Sequence, residues 1–396
     1  MFYKPLHSFV SFVFFVVKTP ELTLYGSYLT FKTTTKQCLI TSALLSLSLS
    51  LQAMTTIAHS PPLGGIELSA GAFRETPVGI PLHRSAVVIA DLAEVASPVV
   101  DSENNFVSLR LFLDRPIGAA GDYDPDPETG LPSHYLEVVT GSAAGERFPI
   151  VGSGEDWLII EQEPQGNLVA SFDPSEVRDR IRIRPCWTPE SFMPASEAPL
   201  SAEPDDSAYR IKMRDSDAII IPGKKSDSHH MLQRFSKDVN SNHYWAEWDD
   251  DNKRLIADNY GILPGKVSWI RRTGANDAKW IVTGDVTNFD IRWAIPLPDS
   301  GEMLKWPVTL TEPKAVTLNS SGLKSVFRVS ASATERSDEL VVWEDLTGFY
   351  SRPAKRFYLQ SASPEPVWRE VGDDSTDQGL YTLEPGKAYT IRRRGE

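Results

Sequence analysis

Cysteine is scarce in this chain of 396 residues: Cys38 and Cys186 are the only two. Cys38 opens an apolar run expected to be removed, which leaves Cys186 alone, and one cysteine closes no intrachain disulfide. The fold must stand on its hydrophobic cores, with Cys186 as a small buried apolar residue. Helical periodicity is also lacking. No stretch longer than two turns repeats its apolar residues as an amphipathic helix does. Only Asp173-Pro174-Ser175-Glu176 and Thr188-Pro189-Glu190 carry the cap chemistry of a short helical turn. The chain contains no Gly-x-Ser-x-Gly, His-Glu-x-x-His, Gly-x-x-x-x-Gly-Lys or Cys-x-x-Cys motif, so the familiar hydrolase, zinc, P-loop and redox signatures are missing. Positive charge is short as well: 40 Lys and Arg against 53 Asp and Glu give a net charge of -13. Residues 1–58 hold four lysines and one glutamate, a net of +3, which leaves -16 on the remainder. So acidic a body argues against nucleic acid, or an anionic membrane, as the main partner.

What is present is β pattern and turn chemistry. Val107, Leu109, Leu111 and Leu113 alternate with Ser108, Arg110 and Phe112, the period of a half-buried strand. Tyr135 to Val139, Trp157 to Ile160 and Leu168 to Phe172 are further short β runs. In Arg180-Ile181-Arg182-Ile183-Arg184 the arginines take one face and the isoleucines the other, which reads as a solvated strand face. The expected fold is all-β, of antiparallel sheets in sandwiches or small barrels.

A repeat organises the C-terminal half. Ile-Leu-Pro-Gly-Lys-Val-Ser-Trp-Ile-Arg-Arg at 262–272 returns as Leu-Glu-Pro-Gly-Lys-Ala-Tyr-Thr-Ile-Arg-Arg at 383–393, an offset of 121. Proline presets one dihedral of such a turn and glycine accepts the positive φ that follows. Ser216-Asp217 and Ser337-Asp338, each opening an apolar run, keep the same offset. Between these ends Arg234-Phe235 is matched to Arg356-Phe357 and Trp248 to Trp368. The expectation is a duplicated β unit, 208–273 and 328–396, joined by connecting strands over 274–327. A weaker echo pairs Phe73, Ile80-Pro81-Leu82 and Ser85 with Phe289, Ile295-Pro296-Leu297 and Ser300. On that reading residues 59–101 hold the first strands of copy one, 102–195 form an inserted β module and 196–207, rich in Pro, Ser and Ala, form a linker.

Lys32 and Lys36 precede the run Cys38–Leu51, and small residues follow at Ala53 and Ala58. This is the layout of a secretory signal peptide within a leader over 1–58. This run of 14 residues falls short of the roughly 20 that span a bilayer as a helix. Cleavage after Ala53 or Ala58 is expected, with an uncleaved membrane anchor as the alternative. A second apolar run, Phe9–Val17, stands ahead of an already complete signal, and a downstream non-Met start codon would account for it. The protein is accordingly read as secreted, to the periplasm, cell surface or medium, with membrane contact only through an uncleaved leader.

Candidate sites are few. Asp122, Asp124, Asp126 and Glu128 alternate along one turn, and alternating carboxylates can converge on a hard cation such as Ca2+. Pro127 stands where an EF-hand has glycine and Ser133 where it has its last acid, so a plain acidic loop is the competing reading. No other cofactor is indicated. Tyr244, Trp245 and Trp248 cluster beside Asp249, Asp250 and Asp251. Such rings either stack on a carbohydrate or pack in an ordinary sheet. His229-His230 are adjacent and could share a metal only from a loop, since strand neighbours face opposite ways.

Tyr135-Leu136-Glu137-Val138-Val139-Thr140-Gly141 leading to Gly145 and Phe148-Pro149-Ile150 carries a family likeness. So do Ile183-Arg184-Pro185 before Trp187-Thr188, the Ser-Asp strands and the two Pro-Gly to Ile-Arg-Arg endings. Over roughly 66–394 the chain resembles an uncharacterised, paralogous family of exported β-rich proteins found mainly in verrucomicrobial bacteria. The resemblance implies export and β structure, and it brings no established activity. The expected function is that of a non-catalytic envelope or extracellular binding or structural protein, its partner a polysaccharide or another envelope protein. The competing class is a secreted hydrolase acting on polysaccharide.

Overall fold

A computed structural model describes residues 63–95, 99–101, 106–162, 172, 179–204, 216–223, 228–236, 243–248, 254–286, 298, 300–310, 313–343 and 353–395. The leader, the turn expected at 173–176, Ile295-Pro296-Leu297 and Asp249 to Asp251 lie outside the described residues. The protein is all-β and its sheets are almost wholly antiparallel. No helix among the described residues is long and apolar enough to cross a membrane.

The chain enters through β1 (Leu63–Ala70) and β2 (Arg74–Gly79), joined by a tight turn in which Phe73 takes φ +53°. It then builds a barrel from β3 (Val88–Val95), β4 (Val99–Asp101), β5 (Phe106–Leu113), β6 (His134–Val138), β7 (Arg147–Ser153), β8 (Trp157–Gln162) and β9 (Arg180–Pro185). The order is β3-β9-β6-β7-β8-β5, and β5 pairs back onto β3. Six strands thus close on themselves, with β4 appended to β5. Alternation sends Leu109, Leu111, Leu136, Ile160, Ile181 and Ile183 inside, all fully buried, and a barrel this small is filled by its own side chains. Each such burial contributes about 1.5–3 kcal/mol. The barrel's sheet begins at Val88, ahead of the boundary expected at 102, because β3 supplies the stave that closes it.

After the barrel comes a single helical turn, α1 (Pro189–Phe192), where the sequence places its cap. Thr188 Oγ1 accepts from Ser191 N and Ser191 Oγ from Thr188 N, a reciprocal capping box with proline at the first position. The following Pro/Ser/Ala stretch is not a free linker. Ala195, Ala198 and Leu200 are buried, and Arg234 donates to the carbonyls of Ala195 (2.5 Å) and Leu200 (2.8 Å). Proline and alanine here signal irregular backbone, and the arginine satisfies the carbonyls that no sheet pairs.

The first open sheet follows: β10 (Ala202–Pro204), β11 (Ala218–Pro222), β12 (His229–Ser236), β13 (His243–Trp248), β14 (Arg254–Ile256) and β15 (Val267–Arg272). Its order is β14-β13-β12-β11-β15-β2, with β10 running parallel to the end of β12. β16 (Ala278–Asp285) pairs with β1 along eight residues. This ribbon lies over the sheet, and its Leu68, Ala70 and Val282 share a core with Ile219, Ile270 and Trp245.

The second open sheet uses β17 (Met303–Thr309), β19 (Asp338–Trp343), β20 (Pro353–Gln360), β21 (Val367–Glu370) and β23 (Ala388–Arg394) in the order β17-β23-β19-β20-β21. A short ribbon of β18 (Val316–Thr317) and β22 (Thr382–Leu383) accompanies it. Leu340, Phe357, Leu359, Trp368 and Ile391 form its core with Leu318 and Leu383.

The two open sheets share a strand order: β2-β15-β11-β12-β13 in the first, β17-β23-β19-β20-β21 in the second. At the centre the registers also agree. Ile219 opposes Ile270 and Leu340 opposes Ile391. Further out they slip. Ile219 opposes Leu232, whereas Leu340 opposes Phe357, and a bulge interrupts the second pairing at Val342/Trp343. Leu232 rather than Phe235 therefore occupies the place of Phe357. Trp245, opposite Arg234, occupies that of Trp368, opposite Leu359. The internal matches read from sequence, Phe235 to Phe357 and Trp248 to Trp368, are corrected on this point. The longer connection in the second sheet moves the register by more than spacing alone reveals.

Gly265 and Gly386 take φ +78° and +81°, as Pro-Gly turns require. Each turn touches the edge strand of the other sheet. Gly386 O accepts from Gly79 N at 3.0 Å, and the Lys266 ammonium lies 4.5 Å over the Trp306 ring.

Candidate functional site

In the acidic turn between β5 and β6, three of the four carboxylates have hydrogen-bond partners nearby. Asp122 Oδ2 accepts from Ala119 N at 2.7 Å and Asp124 Oδ1 from Ser153 Oγ at 2.9 Å. Asp126 Oδ1 accepts from Glu128 N, Thr129 N and Thr129 Oγ1. Turns at 120–123 and 127–129 shape the stretch. Among the described residues no group of three or more His, Cys, Asp or Glu is placed to hold a metal.

The three rings expected to gather at a surface are divided by β13. Trp245 faces the core, fully buried, its Nε1 donating to Met193 O at 2.9 Å. A ligand cannot reach it. Tyr244 and Trp248 lie on the opposite face with Phe235. Tyr244 stacks on Phe235 at 5.7 Å and 29°, and Trp248 meets Phe235 edge-on at 6.4 Å. Arg254 crosses this group, 5.2 Å over Phe235 and 5.5 Å over Trp248, and donates to Tyr244 Oη at 2.9 Å. Of the three, Tyr244 and Trp245 are buried and Trp248 is half-buried.

A constellation that the sequence did not assemble joins β12, β13 and the loop after β14. His230 Nδ1 lies 3.0 Å from both oxygens of Glu247, and Tyr260 Oη donates to Glu247 Oε1 at 2.9 Å. The two rings meet edge-on at 5.3 Å. Burial holds the Tyr260 phenol well above its ordinary value, and the negative charges of Glu247, Asp126 and Glu128 add to this. The acidic turn of the barrel therefore lies within electrostatic reach of this trio. His229 and His230 both sit within β12, so the pair cannot share one metal.

The densest polar network lies where barrel and ribbon meet. Glu137, fully buried on β6, accepts from Arg147 Nη2 (3.0 Å) and Arg184 Nε (2.8 Å), with Arg182 at 3.7 Å. Arg184 also donates to Asp285 Oδ2 at the end of β16 (2.8 Å) and to Arg84 O (2.7 Å). Beside it His83 Nδ1 and Tyr135 Oη are 2.8 Å apart, both rings buried. Burial, then the nearby Arg147 and Arg184 charges, keep the His83 imidazole neutral well below its ordinary pKa. Burial likewise pushes the Tyr135 phenol and the Cys186 thiol up. The solvated arginine face expected on β9 is thus only partly present. Arg180 is exposed and Arg182 half-buried, but Arg184 is fully buried because Glu137 and Asp285 supply its counter-charges.

The same device recurs in each open sheet. Asp217 receives Arg272, Thr273 N at 2.6 Å and Ser201 N at 2.8 Å. Burial opposes its charge, yet these donors hold its carboxyl below the ordinary range. Asp338 receives Arg393 Nη2 at 2.9 Å together with Arg328. In both, the arginine follows the aspartate by 55 residues. No family model matches this chain, and no curated protein or solved structure matches it either.

Proposed function

We propose that this protein is an exported, non-catalytic binding or structural component of the cell envelope or its surroundings, engaging a polysaccharide or another envelope protein through its open sheets. The observation that carries the reading is how the buried charges are used. Glu137, Asp217, Asp285 and Asp338 each hold two or more donors, so their lone pairs are committed to joining strands. A general acid or base needs a proton site free to exchange with substrate. The Glu137–Arg184–Asp285 network ties the barrel to the ribbon over the first sheet, each open sheet carries its own Asp–Arg clamp, and two sheets set side by side by their Pro-Gly turns offer broad faces. Export rests on the leader and on the family resemblance. The two open sheets are read as copies of one unit, supported by their common order, their central register and their paired Asp–Arg clamps.

A second reading, a secreted hydrolase acting on polysaccharide, draws on Glu247 with its His230 and Tyr260 partners near the barrel's acidic turn. One experiment separates the two. The mature chain is screened on a glycan array, and every hit is then assayed for release of reducing ends. Binding without turnover is the expected result; turnover lost on Glu247→Gln would establish the hydrolase instead.

A further inference from the structure

The outer face of the second sheet carries charge that its fold does not call for. Lys305 on β17 stands directly opposite Arg392 on β23, and Arg392 opposite Glu339 on β19. Continuing the register, Tyr358 on β20 comes next, and Tyr358 is opposite Arg369 on β21. One transverse row thus reads Lys, Arg, Glu, Tyr, Arg. Glu339 is nearly buried and draws in three guanidiniums: Arg336 Nε at 2.6 Å, Arg392 Nη1 at 2.9 Å and Arg356 Nη1 at 3.9 Å. Lys305 is exposed and makes no polar contact among the described residues. The Arg392 Nε is buried without a partner, and its Nη2 has only the Met303 thioether, at 3.0 Å.

The first sheet shows that the architecture does without this. Its corresponding row runs Glu75, Arg271, Ala218, Gln233, Ala246. There Glu75 Oε1 takes Arg271 Nε at 2.7 Å and Nη2 at 2.5 Å, and the row is neutral. In the second sheet lysine replaces that glutamate opposite the matching arginine. Like charges directly opposite on neighbouring strands destabilise a sheet, so Lys305 works against the fold. A cost of that kind, kept in place on a partly accessible face, points to a ligand of opposite sign.

We propose that this face binds an extended acidic polysaccharide laid across the strands, its carboxylates taken by Lys305 and Arg392 of the row and by Arg356, opposite Val341 on the same face. The proposal rests on the binding reading above and names its substrate class. Tyr358 in the row is itself buried, but Lys305, Arg392 and Arg356 stand on β17, β23 and β20, three strand spacings of about 4.8 Å or roughly 14 Å from end to end, which suits a chain rather than a single small anion. Guanidinium forks match carboxylates in shape and charge. Trp343 lies half-buried on the same face, its Nε1 donating to Thr390 Oγ1 at 2.9 Å, and offers a ring beside the cations. Nucleic acid is disfavoured. Its charge is dense, about one per 1.7 Å of duplex, so it would meet the repulsion of a chain carrying -13 overall. Sparse carboxylates feel mainly the local row, because charges beyond a Debye length of about 8 Å are screened at physiological salt.

The test titrates the full chain with polygalacturonate, with its fully methyl-esterified form and with single-stranded DNA, at low and moderate salt. The expected result is binding to polygalacturonate that weakens with salt and falls at least about tenfold on esterification. The double variant Lys305→Glu with Arg356→Gln should lose about tenfold or more of that affinity, each exposed charge being worth up to about a factor of five. Lys305→Glu alone recreates the Glu–Arg opposition of the first sheet, so it should fold with an unchanged or raised melting temperature while binding less. Equal affinity for single-stranded DNA, equal affinity for the esterified polymer, or an unaffected double variant would each overturn the proposal. Binding confined to neutral glycans on the array would sink it too while leaving the broader binding reading in place.

Discussion

Replacing Asp338 with asparagine removes one charge from the interior of the second sheet and changes almost no volume. The carboxylate accepts from Arg328 N (3.0 Å), Arg328 Nε (3.1 Å) and Nη2 (2.9 Å), and Arg393 Nε (3.1 Å) and Nη2 (2.9 Å). Asparagine keeps one acceptor oxygen and turns an amide N–H2 toward guanidinium donors. At least two charge-assisted bonds go, worth about 1.5–3 kcal/mol each. Breaking a buried pair from one side costs about 3–5 kcal/mol. The two figures describe overlapping losses, so a destabilisation of about 4 kcal/mol is expected, a large share of the roughly 5–15 kcal/mol that holds a domain. Equilibrium unfolding in urea, followed by tryptophan fluorescence and far-ultraviolet circular dichroism, measures it as a lowered midpoint at unchanged slope. A loss below about 1 kcal/mol would refute the reasoning. A sharper check is the pair Asp338→Leu with Arg393→Met. Arg328 is 24% exposed and can turn to water, so no charge is stranded and the double variant should be more stable than Asp338→Asn. The opposite ranking would show that the stranded charge is not the cost.

Three further outcomes follow from the same geometry. Trp245→Ala should cost about 3–5 kcal/mol, as truncation of a buried aromatic does, whereas Trp248→Ala should cost clearly less; equal losses would contradict the division of the rings by β13. Acid should destabilise the fold before its carboxylates titrate. Burial and the Arg147 and Arg184 charges lower His83, while burial and the Arg84 charge bring His134 down to about 4. Both folded values lie below the unfolded value of about 6.5, so the unfolded chain takes up protons first. Stability is then complete above pH ~6.5 and declines from there toward pH ~4, and urea midpoints that stay flat between neutrality and pH ~4.5 would refute this. Finally, Cys186 is fully buried with its thiol pushed up by that burial. It should resist a thiol reagent in the native protein and react only with the unfolding rate; fast labelling of native protein would count against the packing described.

Much of this architecture is legible before any coordinate, because it depends on local chemistry. Proline before glycine predicts the two positive-φ turns, and both occur. Thr188-Pro189 predicts the capped turn of α1. The alternation in Arg180 to Arg184 correctly sends Ile181 and Ile183 into a core. What stays hidden is decided by partners distant in sequence. Arg184 looks like solvent-facing charge until Glu137 and Asp285, 47 and 101 residues away, are brought against it. The one hint was Glu137 itself, an acid inside an apolar strand. Barrel closure depends on β3 meeting β5 and β9 at once, which no local pattern encodes. In the acidic turn, nearby backbone N–H groups take up Asp122 and Asp126, contacts that the spacing of the acids alone does not reveal. His230 and Glu247 were each visible, but their meeting depends on a cross-strand register that a loop of unknown path conceals.

The two open sheets then separate what their architecture demands from what it leaves free. On the core side both keep an aspartate at the head of the central strand, clamped by an arginine at the tail of its neighbour. The reason is shared: each clamp seals one end of a core and satisfies donors that burial would otherwise strand. On the outer side nothing comparable is imposed, and the faces differ. The first gathers Phe235, Tyr244 and Trp248 under Arg254, while the second gathers Arg336, Arg356 and Arg392 about Glu339. On the reading that both descend from one unit, the clamps mark the part where a change to one partner alone is costly. The outer faces mark where an aromatic surface and a cationic one were free to diverge. On the binding reading proposed above, specificity is to be sought there, and the pair Glu75 and Lys305, opposite matching arginines, is the most economical place to begin.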